Sequence, residues 1–229
     1  MNKFIVLEGL DGSGKSTQVD LLKGYFDDQG VDYKFLHFPQ TNEPYFGEMI
    51  ARFLRGEFGP IDAVDPYLVA MLYAGDRHAA ASEIREWLSI GSVVVVDRYV
   101  LSNIAFQCAK IQDDADKTKL RKWIFDFEYN YYKIPKPGLS IFLDVPMNFV
   151  IKNLENERKG NDRAYLQGKQ DIHEAHAGFQ EVVRKEYLEA IKLDNTFEHL
   201  NCIADGSVKP ANKIFNEIRH LIHQYEILK

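Results

Sequence analysis

The sequence predicts a doubly wound α/β fold, a parallel sheet covered by helices on both faces. Three features carry that reading. Short, almost unbroken apolar runs rich in β-branched and aromatic residues recur along the chain, long amphipathic stretches separate them, and a glycine-rich turn joins the first run to the first helical stretch. Strands buried on both faces read as continuous apolar runs rather than alternating ones. Their regular alternation with helical segments implies crossover units.

Taken in order, the first strand is KFIVLEG (3–9), and KSTQVDLLKGYFDDQ opens the first helix, with Gly30 placed to cap its end. YKFLHF (33–38) is the second strand. A long helix then runs from Pro66, a residue favoured in a first helical turn, to Gly91. SVVVVD (92–97) and LSIFLDV (139–145) are the third and fourth strands, and EHLNCIA (198–204) is a weaker fifth. Two further amphipathic helices are expected, over IHEAHAGFQEVVRKEYLEAIKL (172–193) and ANKIFNEIRHLIHQYEIL (211–228). The segment ENERKGNDRAYLQGKQD (155–171) differs in being polar, charged and glycine-bearing. It fits either a solvated loop or a mobile lid on the α/β scaffold.

The 229 residues suit one domain over 1–229, with two small domains as the alternative; no repeat, low-complexity tract or linker divides them. A net charge of -6 argues against a sequence-independent nucleic-acid binder, which needs a basic surface to displace counterions. Small anionic ligands need only a few placed cations. Cys108 and Cys202, both in apolar surroundings, have no metal spacing and read as reduced core residues. The N-terminus carries one basic residue and then a strand, so no signal peptide is expected, and no apolar run nears the roughly 18 residues that span a membrane. These features place the protein in the cytosol, with no membrane partner.

GLDGSGKS fits G-x-x-x-x-G-K-[ST] through Gly9, Gly14, Lys15 and Ser16, between a strand and a helix as the motif requires. Glycines let backbone N–H groups turn inward as an anion nest, and the following helix aims its positive end at the same point. Lys15 supplies a cation for the outer phosphates, and the Ser16 hydroxyl can ligate Mg²⁺. The guanine-reading Asn-Lys-x-Asp of GTPase switches does not occur. HEAHA (173–177) has the wrong spacing for a zinc helix and reads as helix surface.

VVVVDRY ends the third strand in Asp97 and Arg98, at the edge where open α/β sheets bind ligands. Asp97 is placed to hold Mg²⁺ through water, and Arg98 to make a bidentate phosphate contact. Phe38 and Pro39, opening FPQT after the second strand, should face the same crevice. Tyr73 and Arg77, in LYAGDR, lie four residues apart on one helix face. That pair could stack on a base and bond its edge, or it could be a core tyrosine beside a surface arginine.

This ordered set, GLDGSGKSTQ, FP, LYAGDR, DRYVLSNIAFQ and the charged 155–171 segment, resembles the thymidylate kinases of the nucleoside-monophosphate kinase group over nearly the whole chain. The resemblance implies a five-stranded parallel P-loop sheet with a lid, a homodimer packed through helices, and nucleotide substrates. It places ATP-Mg²⁺ on Gly9, Asp11, Gly12, Ser13, Gly14, Lys15, Ser16 and Thr17. It places Arg98 on the acceptor phosphate, Tyr73 and Arg77 on thymine, and Ser102, Asn103 and Gln107 along the nucleotide pocket, with Asp11 facing the acceptor sugar. Some members carry an arginine directly after that acidic residue. Gly12 stands there in this chain, which matches the type whose lid arginines, here Arg158 and Arg163, supply the charge.

One feature departs from the family pattern. Related enzymes often place an arginine after the second strand, whereas FPQTNEPYFGEM contains no basic residue before Arg52. Either another cation substitutes or Gln40 and Thr41 serve as neutral donors. The implied reaction is transfer of the ATP γ-phosphoryl group to dTMP. A kinase of the free nucleoside and an ATP-dependent switch protein are the alternatives.

Overall fold

The computed structural model describes residues 2–156, 165–167, 171 and 177–228. Five strands, β1 (Phe4–Glu8), β2 (Tyr33–His37), β3 (Val93–Asp97), β4 (Leu139–Asp144) and β5 (Phe197–Asn201), form one sheet in the order β2-β3-β1-β4-β5. All four pairings are parallel. β1, β3 and β4 are buried throughout, as continuous apolar runs covered on two faces must be. β2 and β5 are the edges; β2 is half-buried, and β5 mixes buried with open positions. That mixing is why the fifth run gives the weaker signal.

Eight α-helices join and cover these strands among the described residues: α1 (Lys15–Gln29), α2 (Phe46–Leu54), α3 (Pro66–Ser89), α4 (Val100–Cys108), α5 (Asp114–Asp126), α6 (Met147–Asn156), α7 (Ala177–Ala190) and α8 (Ala211–Gln224). α1 packs against α8, while α4 packs against α3, α5 and α7. α1 closes on Gly30 and α3 starts at Pro66 behind the Asp65 cap, both as the sequence implies. α5 continues into a π-helical turn, Phe127–Tyr131.

Four boundaries shift. α8 ends at Gln224 rather than reaching Leu228. α3 ends at Ser89 rather than Gly91. The described part of the penultimate helix passes into a 3₁₀ turn at Ile191–Leu193. Residues 198–204 do not form one strand: after Asn201 the chain leaves the sheet, and Ile203–Ala204 pairs instead with Ser207–Val208 as the hairpin β6–β7. Cys108 and Cys202 are both free and buried, and burial pushes each thiol up to about 12.

The chain passes from β3, on one side of β1, to β4, on the other. Such a reversal opens a crevice at the carboxyl ends of the strands. Register places Leu7 beside Asp97, and Asp97 beside His37, so the ends of β1, β3 and β2 sit level there.

Candidate active site

A cavity of about 430 Å³ occupies that crevice. The turn from β1 to α1 forms one wall. Gly12 and Gly14 have φ of 70° and 85°, left-handed values that side chains rarely adopt. Gly14 is also the cap of α1, so the helix begins at Lys15 with its positive end at the cavity. Lys15 is 7% exposed and its Nζ donates to the carbonyls of Gly9 (3.2 Å) and Leu10 (2.9 Å). Burial, with Arg98 nearby, pushes its pKa down against the pull of Asp97, Asp11 and Glu8. Asp11, Ser13, Ser16 and Thr17 line the same wall.

β3 delivers the second set. Burial disfavours the Asp97 charge, but Lys15, His37 and Arg98 outweigh it and hold the carboxyl below the ordinary range. His37 Nδ1 lies 3.2 Å from Asp97 Oδ2, while Asp97 Oδ1 is buried and without a hydrogen-bond partner among the described residues. Arg98 has a left-handed φ of 66°. Its Nη1 donates to the Gly9 carbonyl (3.0 Å) and its Nη2 to Asp11 Oδ1 (2.5 Å). Burial opposes the Arg98 charge, and Asp11 with Tyr187, Asp97 and Glu8 raises its pKa nonetheless. Behind it, the fully buried Glu8 accepts from the backbone of Tyr99 and from the hydroxyls of Ser102 and Tyr187. β1, the start of α4 and α7 are thereby tied beneath the arginine.

The far wall is built by α3 and α4. Tyr73 lines it, and burial pushes its phenol well above the usual range. Arg77 is not a surface residue, as one sequence reading had it: it is 1% exposed. Its Nε and Nη2 donate to Glu128 Oε2 (2.6 Å) and Oε1 (2.7 Å). Burial acts against its charge, and Glu128 more than offsets this, raising the pKa. Asn103 Nδ2 donates to the Ala70 carbonyl (3.1 Å) and Glu128 Oε1 (2.8 Å). Asn103 Oδ1 is buried with no partner among the described residues. Ser102, Phe106 and Gln107 line the same region, and Lys110 Nζ donates to Gln107 Oε1 (2.7 Å).

The turn after β2 contributes Phe38, Pro39 and Thr41 to the lining. The Phe38–Pro39 bond is cis. The first basic residues that follow, Arg52 and Arg55, both pair with Glu57 (2.9 and 2.7 Å), and neither lines the cavity. The lining cations among the described residues are Lys15, Lys23, Arg77 and Arg98. The turn is fastened by its backbone: Gln40 N–H donates to the Asp76 carboxylate at 3.0 Å.

Burial pushes the Asp76 carboxyl up to about 6, against the Gln40 hydrogen bond and Arg77. The folded chain thus holds this proton more tightly than the unfolded chain. The resulting stabilisation is full below the ordinary value of 3.8 and is lost as pH rises through about 6. Asp76→Asn keeps an acceptor oxygen and removes the titration. Relative to the parent chain, the variant should gain up to about 3 kcal/mol between about pH 4 and pH 7 in urea unfolding. A pH-independent difference contradicts this.

Of the sequence-derived site residues among those described, all but Gln40 gather around one cavity, with Gly9 contributing its carbonyl; Gln40 gives its backbone N–H to Asp76 and does not line the cavity. Arg158, Arg163 and the HEAHA histidines lie outside the described residues. Sequence reasoning missed Glu128, Tyr165 and Asp171. Tyr165 and Asp171 line the cavity, with Tyr165 Oη donating to Asp171 Oδ2 (3.0 Å) and Arg55 Nη1 donating to the Tyr165 carbonyl (2.7 Å). Glu128 had a readable signal. It follows Leu120 and Ile124 at four-residue steps, a carboxylate on an otherwise buried apolar stripe.

The family model described as thymidylate kinase matches residues 7–204. A probable thymidylate kinase of Thermococcus onnurineus is 31% identical over 231 residues, covering 99% of each chain. The thymidylate kinase of Mycobacterium tuberculosis is 35% identical over 142 residues, 62% of this chain, and the match spans just under two thirds (65%) of that protein's length. Among solved structures, the thymidylate kinase of Candida albicans shares the fold, with a TM-score of 0.73 at 23% identity over 100% of this chain and 94% of that one.

Proposed function

Because the chain belongs to the thymidylate kinase family, we propose that it transfers the γ-phosphoryl group of ATP to dTMP, giving dTDP and ADP in the synthesis of dTTP. The observation that carries the reading is one cavity holding both a phosphate cradle and, across Arg98, a slot with a tyrosine, a buried arginine and an unsatisfied amide oxygen. ATP phosphates lie on residues 9–17 and the acceptor phosphate on Arg98. Tyr73 stacks on thymine and Arg77 donates to its edge. Asn103 Oδ1 accepts from the ring N3–H, and Asp11 faces the sugar.

The acceptor is already an anion, so no strong general base is needed. Catalysis is positioning and charge neutralisation. Lys15 and Arg98 converge on the transferred group from opposite substrates, joined by a lid arginine, Arg158 or Arg163. Closure of the lid excludes water that would hydrolyse ATP. Thr41 and Lys23 are the lining groups that stand in for the arginine missing after Pro39. The donor set suits Mg²⁺: Asp97 and Ser16 both line the cavity, and Asp97 Oδ1 has no hydrogen-bond partner among the described residues. When bound, the ion neutralises phosphate charge. The enzyme works as a homodimer, with the exposed Leu68 and Met71 of α3 supplying apolar contact surface. No helix among the described residues is long and apolar enough to cross a membrane, and the buried free thiols suit the reducing cytoplasm.

A coupled ADP-release assay with dTMP, dUMP and thymidine tests the function. dTMP should turn over best. dUMP lacks only the methyl group, and one such group in an apolar pocket is worth about 1–3 kcal/mol, so its kcat/KM should be about 10- to 200-fold lower. Thymidine should be inert. Turnover of thymidine in preference to dTMP would make the protein a nucleoside kinase. ADP release independent of any acceptor would make it a switch ATPase.

A further inference from the structure

We infer that Glu128 sets base selectivity by fixing which atoms of Arg77 and Asn103 face the acceptor base. The inference rests on the cavity's far wall being the dTMP pocket. Glu128 touches neither cavity nor substrate: it is fully buried and does not line the cavity. Its two oxygens instead take Nε and Nη2 of Arg77 and Nδ2 of Asn103, at 2.6–2.8 Å. What remains for a ligand is donor-only on one side, the outer N–H groups of Arg77 on Nη1 and Nη2, and one acceptor on the other, Asn103 Oδ1. The Asn103 amide has a defined orientation because both partners of Nδ2, the Ala70 carbonyl and Glu128 Oε1, can only accept. Its oxygen is therefore the atom left buried and without a partner among the described residues at the pocket.

A donor beside an acceptor matches the edge of thymine, which offers a carbonyl oxygen beside an N–H. Cytosine offers the reverse, an amino group beside a bare ring nitrogen. It would set its amino group against the guanidinium and its ring nitrogen against the amide oxygen, leaving both protein groups unpaired. Glu128 is thus a positioning residue. The π-helical turn that carries it, with Tyr132 N–H bonding the Phe127 carbonyl, holds it on the Leu120–Ile124 stripe facing α3 and α4.

The test compares kcat/KM for dTMP, dUMP and dCMP in the parent enzyme, Glu128→Gln and Glu128→Asp. A glutamine can present its own amino group to Asn103, which turns the amide oxygen inward and a donor toward the base. Glu128→Gln should lower the dTMP/dCMP ratio at least tenfold while the dTMP/dUMP ratio stays within about twofold, since those two bases share one edge. A purely structural loss would lower all three substrates together. Glu128→Asp keeps the buried charge balanced and withdraws the carboxylate by one carbon. It should lower the dTMP/dCMP ratio about threefold with an unchanged KM for ATP, and it provides the readout if the glutamine variant does not fold. An unchanged dTMP/dCMP ratio in the folded variants overturns the inference. A parent enzyme that prefers dCMP overturns instead the reading of the pocket on which it rests.

Discussion

Replacing Lys15 by alanine is expected to lower kcat by about 10²–10³, or more, with the fold intact. The ammonium is almost fully buried and held by two carbonyls of the phosphate turn. Its position is thus fixed before substrate arrives, and little reorganisation is needed as charge develops on the phosphate. Fixed donors in such a water-poor site typically contribute about 3–4 kcal/mol each. The loss should fall mainly on kcat, because the lysine serves the transferred group more than the ground state. Thermal unfolding should move by only a few degrees, since no carboxylate among the described residues pairs with Lys15 directly. Near-normal turnover would refute the assignment of the turn as the phosphate cradle.

Arg98→Ala should cost as much, about 10²–10³ in kcat/KM, but on the other substrate. The arginine spans the cavity floor, bonded to Gly9 and Asp11 of the phosphate turn and backed by Glu8 and Ser102. Its loss would remove the proposed clamp on the acceptor phosphate and the guanidinium paired with Asp11. The KM for dTMP should rise steeply while that for ATP stays within a few fold. Arg98→Lys should recover only part of the rate: it restores charge without the planar fork. A variant defective for ATP and normal for dTMP would reverse the orientation of the substrates.

The sequence made some of this legible and hid the rest for identifiable reasons. The strands FIVLE and VVVVD are local patterns, and so is the glycine turn with its lysine; each is specified within about ten residues and each appears where expected. Asp97 and Arg98 could be placed because a strand end is a defined location in a parallel sheet. Arg77 could not be: its burial depends on a carboxylate 51 residues away, and an arginine on a helix gives no sign of its partner. Glu128 left a trace in its apolar stripe, but only the tertiary packing of the π-helical turn against α3 and α4 reveals what it serves. His37 follows the same logic, since its contact with Asp97 exists only through the β2–β3 register. The β5 run misled at its end because apolar Cys202 and Ile203 continue the pattern after the chain has left the sheet.

The central claim is that two nucleotides meet end to end at the carboxyl edge of the sheet, with Lys15 and Arg98 on either side of the phosphorus that changes owner. A crystal structure with adenosine and thymidine linked through a polyphosphate tests it most directly. The account predicts the adenosine-side phosphates on residues 9–17 and the thymine ring between Tyr73 and α4, with its N3–H on Asn103 Oδ1. A thymidine half bound anywhere else, or a polyphosphate that bypasses Arg98, would contradict it.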